Sequence, residues 1–393
     1  LKTAIQTQQG LEAPPLLPVS RDRDLPLSFA QQRLWFLHQL APNSPLYNDP
    51  VALRLSGSLN IAALERSINE IVQRHEVLRT RFDTVQGQPV QLILPTLDLP
   101  LSVVDLRHLP APEREPEALR LATEEATRPF DLRGDRLLRV TLLRLSETEH
   151  IILLTLHHIV SDGWSMGVLV QELSTLYAAF STDKSSPLPE LPIQYADFAV
   201  WQRQWLQGDV LQTQLNYWRQ QLADLPTFEL PTDKSRPAVP TDHAATQTFT
   251  LSKEVSRSLI QLSQQEGVTL FMTLLTAFKT LLHCYTKQTD IGVGSPIANR
   301  NRAEIENLIG FFVNTLVLRT DLSNNPTFRS LLERVRETTL GAYAHQDLPF
   351  EKLVEELRPE RQQNHLPLFR VWFVLQNAPM PPLELPGLTL API

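Results

Sequence analysis

His157-His158-Ile159-Val160-Ser161-Asp162-Gly163-Trp164-Ser165 is the stretch from which the rest of the chain is read. Residues 151–156 before it are almost continuously apolar and read as a buried strand. Beyond Gly163, the residues Leu169, Leu173, Leu176, Tyr177 and Phe180 recur at helical spacing and mark one face of a helix packed on that strand. An apolar strand thus carries two adjacent histidines to an acidic turn that opens a helix, which suits proton handling. Side chains alternate along a strand, so His157 and His158 cannot share one cavity: one is expected to be structural and the other available. Asp162 either orients an imidazole directly or pairs with a distant arginine and holds the turn; residue types alone leave both open. Standing alone, the motif would favour two satisfied core histidines at a strand end. A zinc site of His157, His158 and Asp162 is conceivable by residue type, but diverging strand neighbours and the lack of a further ligand cluster count against it.

Composition narrows the classes. At 393 residues the chain exceeds a usual single core, so two lobes are expected. A net charge of −7 and a pI near 5.8 argue against nucleic-acid or anionic-membrane partners, which need concentrated positive charge. Cys284 is the single cysteine, which excludes an internal disulfide framework and thiolate metal clusters; in an apolar helical stretch it is expected to be a buried small hydrophobe. No apolar run is long enough to span a bilayer, and residues 1–20 lack the order of a signal peptide, so a cytoplasmic chain is expected. Residues 12–20 are proline-rich, and the chain opens on Leu1 rather than methionine, so a segment of a longer polypeptide is expected, with 1–20 as its linker.

Helices are predicted at 28–40, after the cap Asn60, from Gly163 to Phe180, and at 195–206, 210–222, 253–265 and 270–285. Residues 137–145 and 151–156 are predicted as an antiparallel pair, with further strands at 290–294, 313–318 and 370–375, and 227–242 as a long connection. The class is α+β. The Ser- and Pro-rich segment 182–192 is the expected boundary, giving lobes 21–181 and 182–393.

An ordered set of motifs surrounds the histidine run. It comprises Leu27-Ser28-Phe29-Ala30-Gln31-Gln32-Arg33-Leu34-Trp35-Phe36-Leu37, Arg74-His75-Glu76-Val77-Leu78-Arg79-Thr80-Arg81-Phe82 and Tyr195-Ala196-Asp197-Phe198-Ala199-Val200-Trp201. Ile309-Gly310-Phe311-Phe312-Val313-Asn314-Thr315, His345-Gln346-Asp347-Leu348-Pro349-Phe350 and the stretch from Pro367 to Asn377 complete it. In this order the motifs resemble the condensation domains of nonribosomal peptide synthetases, relatives of chloramphenicol acetyltransferase, over residues 25–377. The spelling around Asp162, Trp164 and Phe311 to Thr315 is similar to the class joining an L-configured donor to an L-configured acceptor. Heterocyclising relatives carry aspartate where this chain has its first histidines, and epimerising relatives differ around the glycine.

The resemblance implies two acetyltransferase-like lobes in a V-shaped pseudo-dimer, with a central tunnel entered by two carrier arms. It implies peptide bond formation between an aminoacyl or peptidyl thioester on an upstream donor carrier domain and the α-amine of an aminoacyl thioester on a downstream acceptor carrier domain, beside an adenylation domain. No cofactor of the domain's own and no metal are implied; the substrates ride on the carriers' phosphopantetheine. His158 is then the candidate proton acceptor, and Gly163 supplies a backbone N–H or close tether approach, or serves as a turn glycine with positive φ. Asp162 is structural, paired with Arg300 or, as the alternative, Arg79. His157 shapes the loop. Trp164, Ser165 and Asn314 line or support the tunnel, Asn314 and Thr315 chiefly through strand packing. His75 is expected to cap or pack, and His38, His108, His150, His243, His283, His345 and His365 are ordinary scattered histidines. The family pattern continues past Asn377 with a strand and a terminal helix, so a shortened second lobe is expected at Ile393. Other readings are a starter domain taking a fatty acyl donor, an acyltransferase using a soluble thioester, and a non-catalytic recruitment platform; retention of His158 and Gly163 favours the enzyme.

Overall fold

The structure, a computed structural model, describes residues 13–134, 136–234, 244–357 and 368–393. Most of the expected linker (1–12), residues 235–242 of the long connection, His243, His365 and Pro367 lie outside the described residues. The chain forms two compact units. The first takes in 13–205, 300–313 and 377–393; the second takes in 206–299 and 314–376.

The first unit runs β1 (Leu25–Pro26), α1 (Phe29–Leu40), β2 (Asn48–Gly57), α2 (Ile61–Arg74), β3 (Thr80–Val85), β4 (Gln88–Ile93), β5 (Ser102–Asp105), α3 (Ala111–Thr127), β6 (Leu138–Arg144), β7 (Glu149–His157), α4 (Gly163–Phe180) and α5 (Tyr195–Trp205). Local chemistry sets the helix starts. Ser28 and Gln31 form a reciprocal capping box at α1, and the Asn60 side chain accepts from Ala63 N at α2. In the main sheet β7 lies between β2 and β6, antiparallel to both, with β5 parallel to β6. β7 is buried along almost its whole length, as a central strand must be, and α2 and α4 bury their apolar faces in the same core. Its register puts Asn48 opposite His157 and Asp49 opposite Leu156, so the start of β2 lies beside the histidines.

The second unit contains α6 (Gly208–Gln221), α7 (Lys253–Gln265), α8 (Leu270–Thr286), β8 (Asp290–Ile297), β9 (Asn314–Asp321), α9 (Phe328–Ala344) and α10 (Phe350–Leu357). β8 and β9 pair antiparallel over their full lengths, around a core that includes Leu275, Val293, Leu318 and Val335. The strand expected at 370–375 is reduced to one parallel bridge, Gly294 to Trp372, held by Gly294 N to Val371 O (2.9 Å) and Phe373 N to Gly294 O (2.9 Å). Gly294 is required there, since a Cβ would lie 2.1 Å from the Phe369 ring. Cys284 corrects another expectation: it is exposed, because α8 buries Met272, Leu275, Thr276, Lys279 and Leu282 and Cys284 falls off that stripe.

A final strand, β10 (Leu388–Pro392), pairs antiparallel with the edge of β2, Leu390 opposite Leu55, and belongs to the first unit. The units therefore part after Trp205 rather than at the polar segment 182–192. α5 stays with the first unit because Tyr195 packs edge-on and Phe198 tilted against Phe312, with centroids 4.8 Å away in each case. A Ser/Pro-rich stretch marks a loop, but packing decides where a core ends.

Candidate active site

β7 ends at His157, and a single 3₁₀ turn, His158–Val160, leads to Asp162 at the N-cap of α4. The strand end is pinned on both sides: His157 N donates to Leu137 O (3.0 Å) and His158 N to Tyr47 O (2.8 Å). Both histidines thus leave the sheet from a fixed backbone, and the change from strand to turn sends their side chains to different surroundings.

The floor of the turn is a sealed ionic cluster. Asp162 Oδ1 accepts from Ser165 N (2.8 Å), Ser165 Oγ (2.7 Å) and Arg300 Nη2 (3.1 Å), and Oδ2 accepts from Phe312 N (3.0 Å). Both charged side chains have zero exposure. Arg300 Nη1 donates to Ile305 O and Leu308 O, each at 2.6 Å, and its guanidinium lies 4.2 Å from the Phe312 ring centroid. A buried carboxylate needs this many donors to offset the cost of its desolvation. Of the two arginines weighed as partners, the structure pairs Arg300 with Asp162. Arg79 instead bonds Leu94 O and Gln73 O and lies 3.9 Å from Glu76, so it shapes the end of α2 and plays no part in the turn.

The cluster fixes residues 300–313 against the turn. Ser165 Oγ accepts from Gly310 N (3.0 Å), Trp164 Nε1 donates to Glu306 O (2.9 Å), and Tyr195 Oη donates to Phe311 O (2.6 Å). Trp164 and Ser165, expected at the tunnel, are therefore anchors for this loop. His75, buried at the end of α2, adds another: its Nδ1 accepts from Ile309 N (3.3 Å), which leaves Nε2–H to donate to Glu172 Oε2 (2.9 Å).

The two histidines differ in charge as well as direction. His157 is 5% exposed, edge-on to Phe130 at 5.7 Å, and its Nδ1 accepts from Ile159 N (3.0 Å). Burial, with positive contributions from His38, His158 and Arg139, pushes its pKa down to about 3, so it is a neutral structural group. The His158 side chain is 30% exposed and its ring lies 4.7 Å from that of Phe311. Its Nδ1 is 2.8 Å from Asp49 Oδ2. Burial opposes the imidazolium, but Asp49 and, further off, Asp162 outweigh it and raise the pKa above the usual imidazole value. His157 Nδ1 and every Asp162 oxygen are already engaged, which argues against the zinc alternative.

Gly163 opens α4 without positive φ, so the turn-glycine explanation fails. A Cβ there would meet nothing within 4 Å. Neither backbone strain nor packing calls for glycine at this position, and the ground beside it is open to an approaching group. Asn314 lies in the second unit, where Nδ2 donates to Gln346 O (2.9 Å) and Leu348 O (2.8 Å), and Oδ1 accepts from Phe350 N (2.9 Å). It supports the start of α10. Asp49, in contact with the His158 ring, carries no local signal, and only the β2–β7 register could have flagged it; Phe311, which packs on the same ring, was singled out as a motif residue but not as a neighbour of His158.

The condensation domain family profile matches residues 21–384. The chain is 55% identical over 393 residues to one of the linear gramicidin synthase proteins of Brevibacillus parabrevis, covering 100% of this chain and 5% of that protein. It is 59% identical over 363 residues to a second linear gramicidin synthase protein of the same organism, covering 92% of this chain and 7% of that protein. It therefore spans a small fraction of the curated relatives it matches. Among solved structures, a complex of the X-domain and OxyB from teicoplanin biosynthesis matches with a TM-score of 0.85 at 30% identity, over 98% of this chain and 83% of that one. The first condensation domain of the CDA synthetase matches with a TM-score of 0.75 at 22% identity, over 94% and 87%, a likeness of fold.

Proposed function

The chain belongs to the condensation domain family, and on that premise we propose that it joins a carrier-bound aminoacyl or peptidyl thioester to the α-amine of a carrier-bound aminoacyl acceptor, as an L-donor, L-acceptor domain of a nonribosomal peptide synthetase. The observation that carries this reading is the contrast at one turn. A locked ionic floor presents a part-exposed, charge-supported His158 beside an open Gly163.

In this reading the acceptor amine attacks the thioester carbonyl, so a C–N bond forms and the C–S bond breaks. His158 takes the ammonium proton of the tetrahedral species and returns it to the departing pantetheine sulfur. An α-amine titrates near roughly 8, so an appreciable fraction is neutral at pH 7 and initial deprotonation is a minor barrier. A general base supplies typically about 10²- to 10⁴-fold, whereas holding two tethered reactants in line contributes roughly 7–11 kcal/mol. Positioning dominates. Gly163 lets a tether approach, and the first-turn N–H groups of α4 favour developing negative charge. The partners are upstream donor and downstream acceptor carrier domains and an adenylation domain, in a cytoplasmic synthetase whose two compact units are acetyltransferase-like lobes.

The test loads donor and acceptor carriers with L-aminoacyl pantetheine and follows dipeptidyl-carrier formation by intact mass, with D-aminoacyl and fatty acyl donors in parallel. Dipeptide from the L,L pair supports the reading; product only from the fatty acyl donor makes it a starter domain. A recruitment platform is the second reading, favoured by the likeness to an X-domain solved with OxyB. It predicts no product from a folded chain with any donor.

A further inference from the structure

We propose that Asp49 is a positioning residue for His158, gripping Nδ1 so that the Nε2 lone pair is the one presented to the acceptor amine. The inference rests on the condensation reading and deepens it.

Geometry makes the case. Asp49 sits near the start of β2, opposite Leu156, in a continuous antiparallel register that runs from Asn48 opposite His157 to Ser56 opposite Glu149. Pro50 follows it, and a residue before proline is confined to extended backbone, so the Asp49 backbone is set for the strand. On the other side His158 N is held by Tyr47 O at 2.8 Å. Backbone constraint on both residues brings Oδ2 to 2.8 Å from Nδ1. Asp49 favours the protonated ring both as a hydrogen-bond acceptor and by its charge, although the contact falls short of strict hydrogen-bond geometry. The Phe311 ring, 4.7 Å from the imidazole and tilted by 46°, limits rotation from a second side.

Among the groups that favour a protonated His158, Asp49 contributes most, ahead of the Asp162 charge and a backbone hydrogen bond to Ser161. From β2 comes Asp49, from the turn Asp162, and from the end of β7 the neutral His157. The loop 300–313 contributes the uncharged Phe311 and Arg300, whose charge is spent on Asp162. Asp162 is in turn neutralised by Arg300, so Asp49 is the carboxylate acting at contact distance. An imidazole holding its proton on Nδ1 against a carboxylate keeps Nε2 as acceptor. A nearby anion also makes that nitrogen a stronger base.

The experiment follows the histidine titrations of the whole chain by NMR, with His158 assigned from His158→Ala, in wild type and Asp49→Asn. His158 should titrate above the free imidazole value in wild type and lower in Asp49→Asn, with Asp49→Glu restoring part of the shift. In carrier-loaded condensation, Asp49→Asn should lose about tenfold at pH 7, less than the roughly 10²- to 10⁴-fold of removing a base, because the base is retained. The acid limb of its pH profile should move to lower pH, and its effect should vanish in the His158→Ala background. Unchanged His158 titration in a folded Asp49→Asn variant overturns the proposal, as does an equal rate loss with and without His158. A chain that makes no dipeptide sinks the condensation reading, yet its titrations still decide whether Asp49 acts on His158.

Discussion

Two carboxylates, each paired with a basic side chain, flank one turn and do opposite things. Asp162 and Arg300 are sealed, with zero side-chain exposure and each joined to several further groups. Asp49 and His158 are about a third open, at 35% and 30% exposure, and bonded loosely. The first pair cannot be undone without leaving a bare charge in the core; the second can gain or lose a proton without disturbing the fold. The rigid pair holds the loop 300–313, and in the proposed function the adjustable pair is the one that meets the chemistry.

The largest expected effect breaks the sealed pair. Arg300→Ala leaves Asp162 buried without its cation and should cost about 3–5 kcal/mol in denaturant unfolding, taking activity with it. Loss of rate at unchanged stability would put Arg300 in the chemistry instead. Gly163→Ala sharpens the other side: with no neighbour within 4 Å of the new Cβ, stability should stay within about 0.5 kcal/mol while condensation falls roughly tenfold or more. Full activity would mean that nothing approaches Gly163 closely.

The two histidines make the comparison in pH. The folded-state pKa of His157, about 3, lies below its unfolded value near 6.5, so the unfolded chain binds that proton first. Its stabilisation is present above pH 6.5 and is lost as pH falls toward 3, at up to about 1.4 kcal/mol per pH unit. His158 runs the other way, its contribution full below the unfolded value and lost as pH rises through the raised folded one. Unfolding free energies of wild type and His157→Asn from pH 7 to 5 should converge; parallel lines would mean His157 takes up its proton equally in the folded and unfolded chain. The smallest effect is at the loop's outer tie: Tyr195→Phe removes the bonds to Phe311 O and Ser28 Oγ and should cost about 1 kcal/mol. No loss would show that the sealed pair holds the loop unaided.

What the sequence disclosed was local. The cap at Asn60, the β6–β7 hairpin and the helical stripe to Phe180 follow from residue periodicity and turn chemistry, and the structure has them; Ser28 and Asp162 turn out to be caps as well. The Asp162–Arg300 pair was legible only through the family motifs, since 138 residues separate its members. Asp49 was hidden, and Phe311 was seen only as a motif residue, because proximity to His158 arises from strand register and loop closure, which no local pattern encodes. The unit boundary was misplaced for the same reason: Tyr195 and Phe198 hold α5 on Phe312, a long-range contact that composition does not show.

The central claim, that His158 handles the proton of condensation, is tested most directly by single-turnover dipeptide formation on loaded carriers with wild type and His158→Ala. The account predicts a fall of about 10²- to 10⁴-fold, with the variant as stable as wild type to within about 1 kcal/mol. Wild-type rates in the folded variant would contradict it.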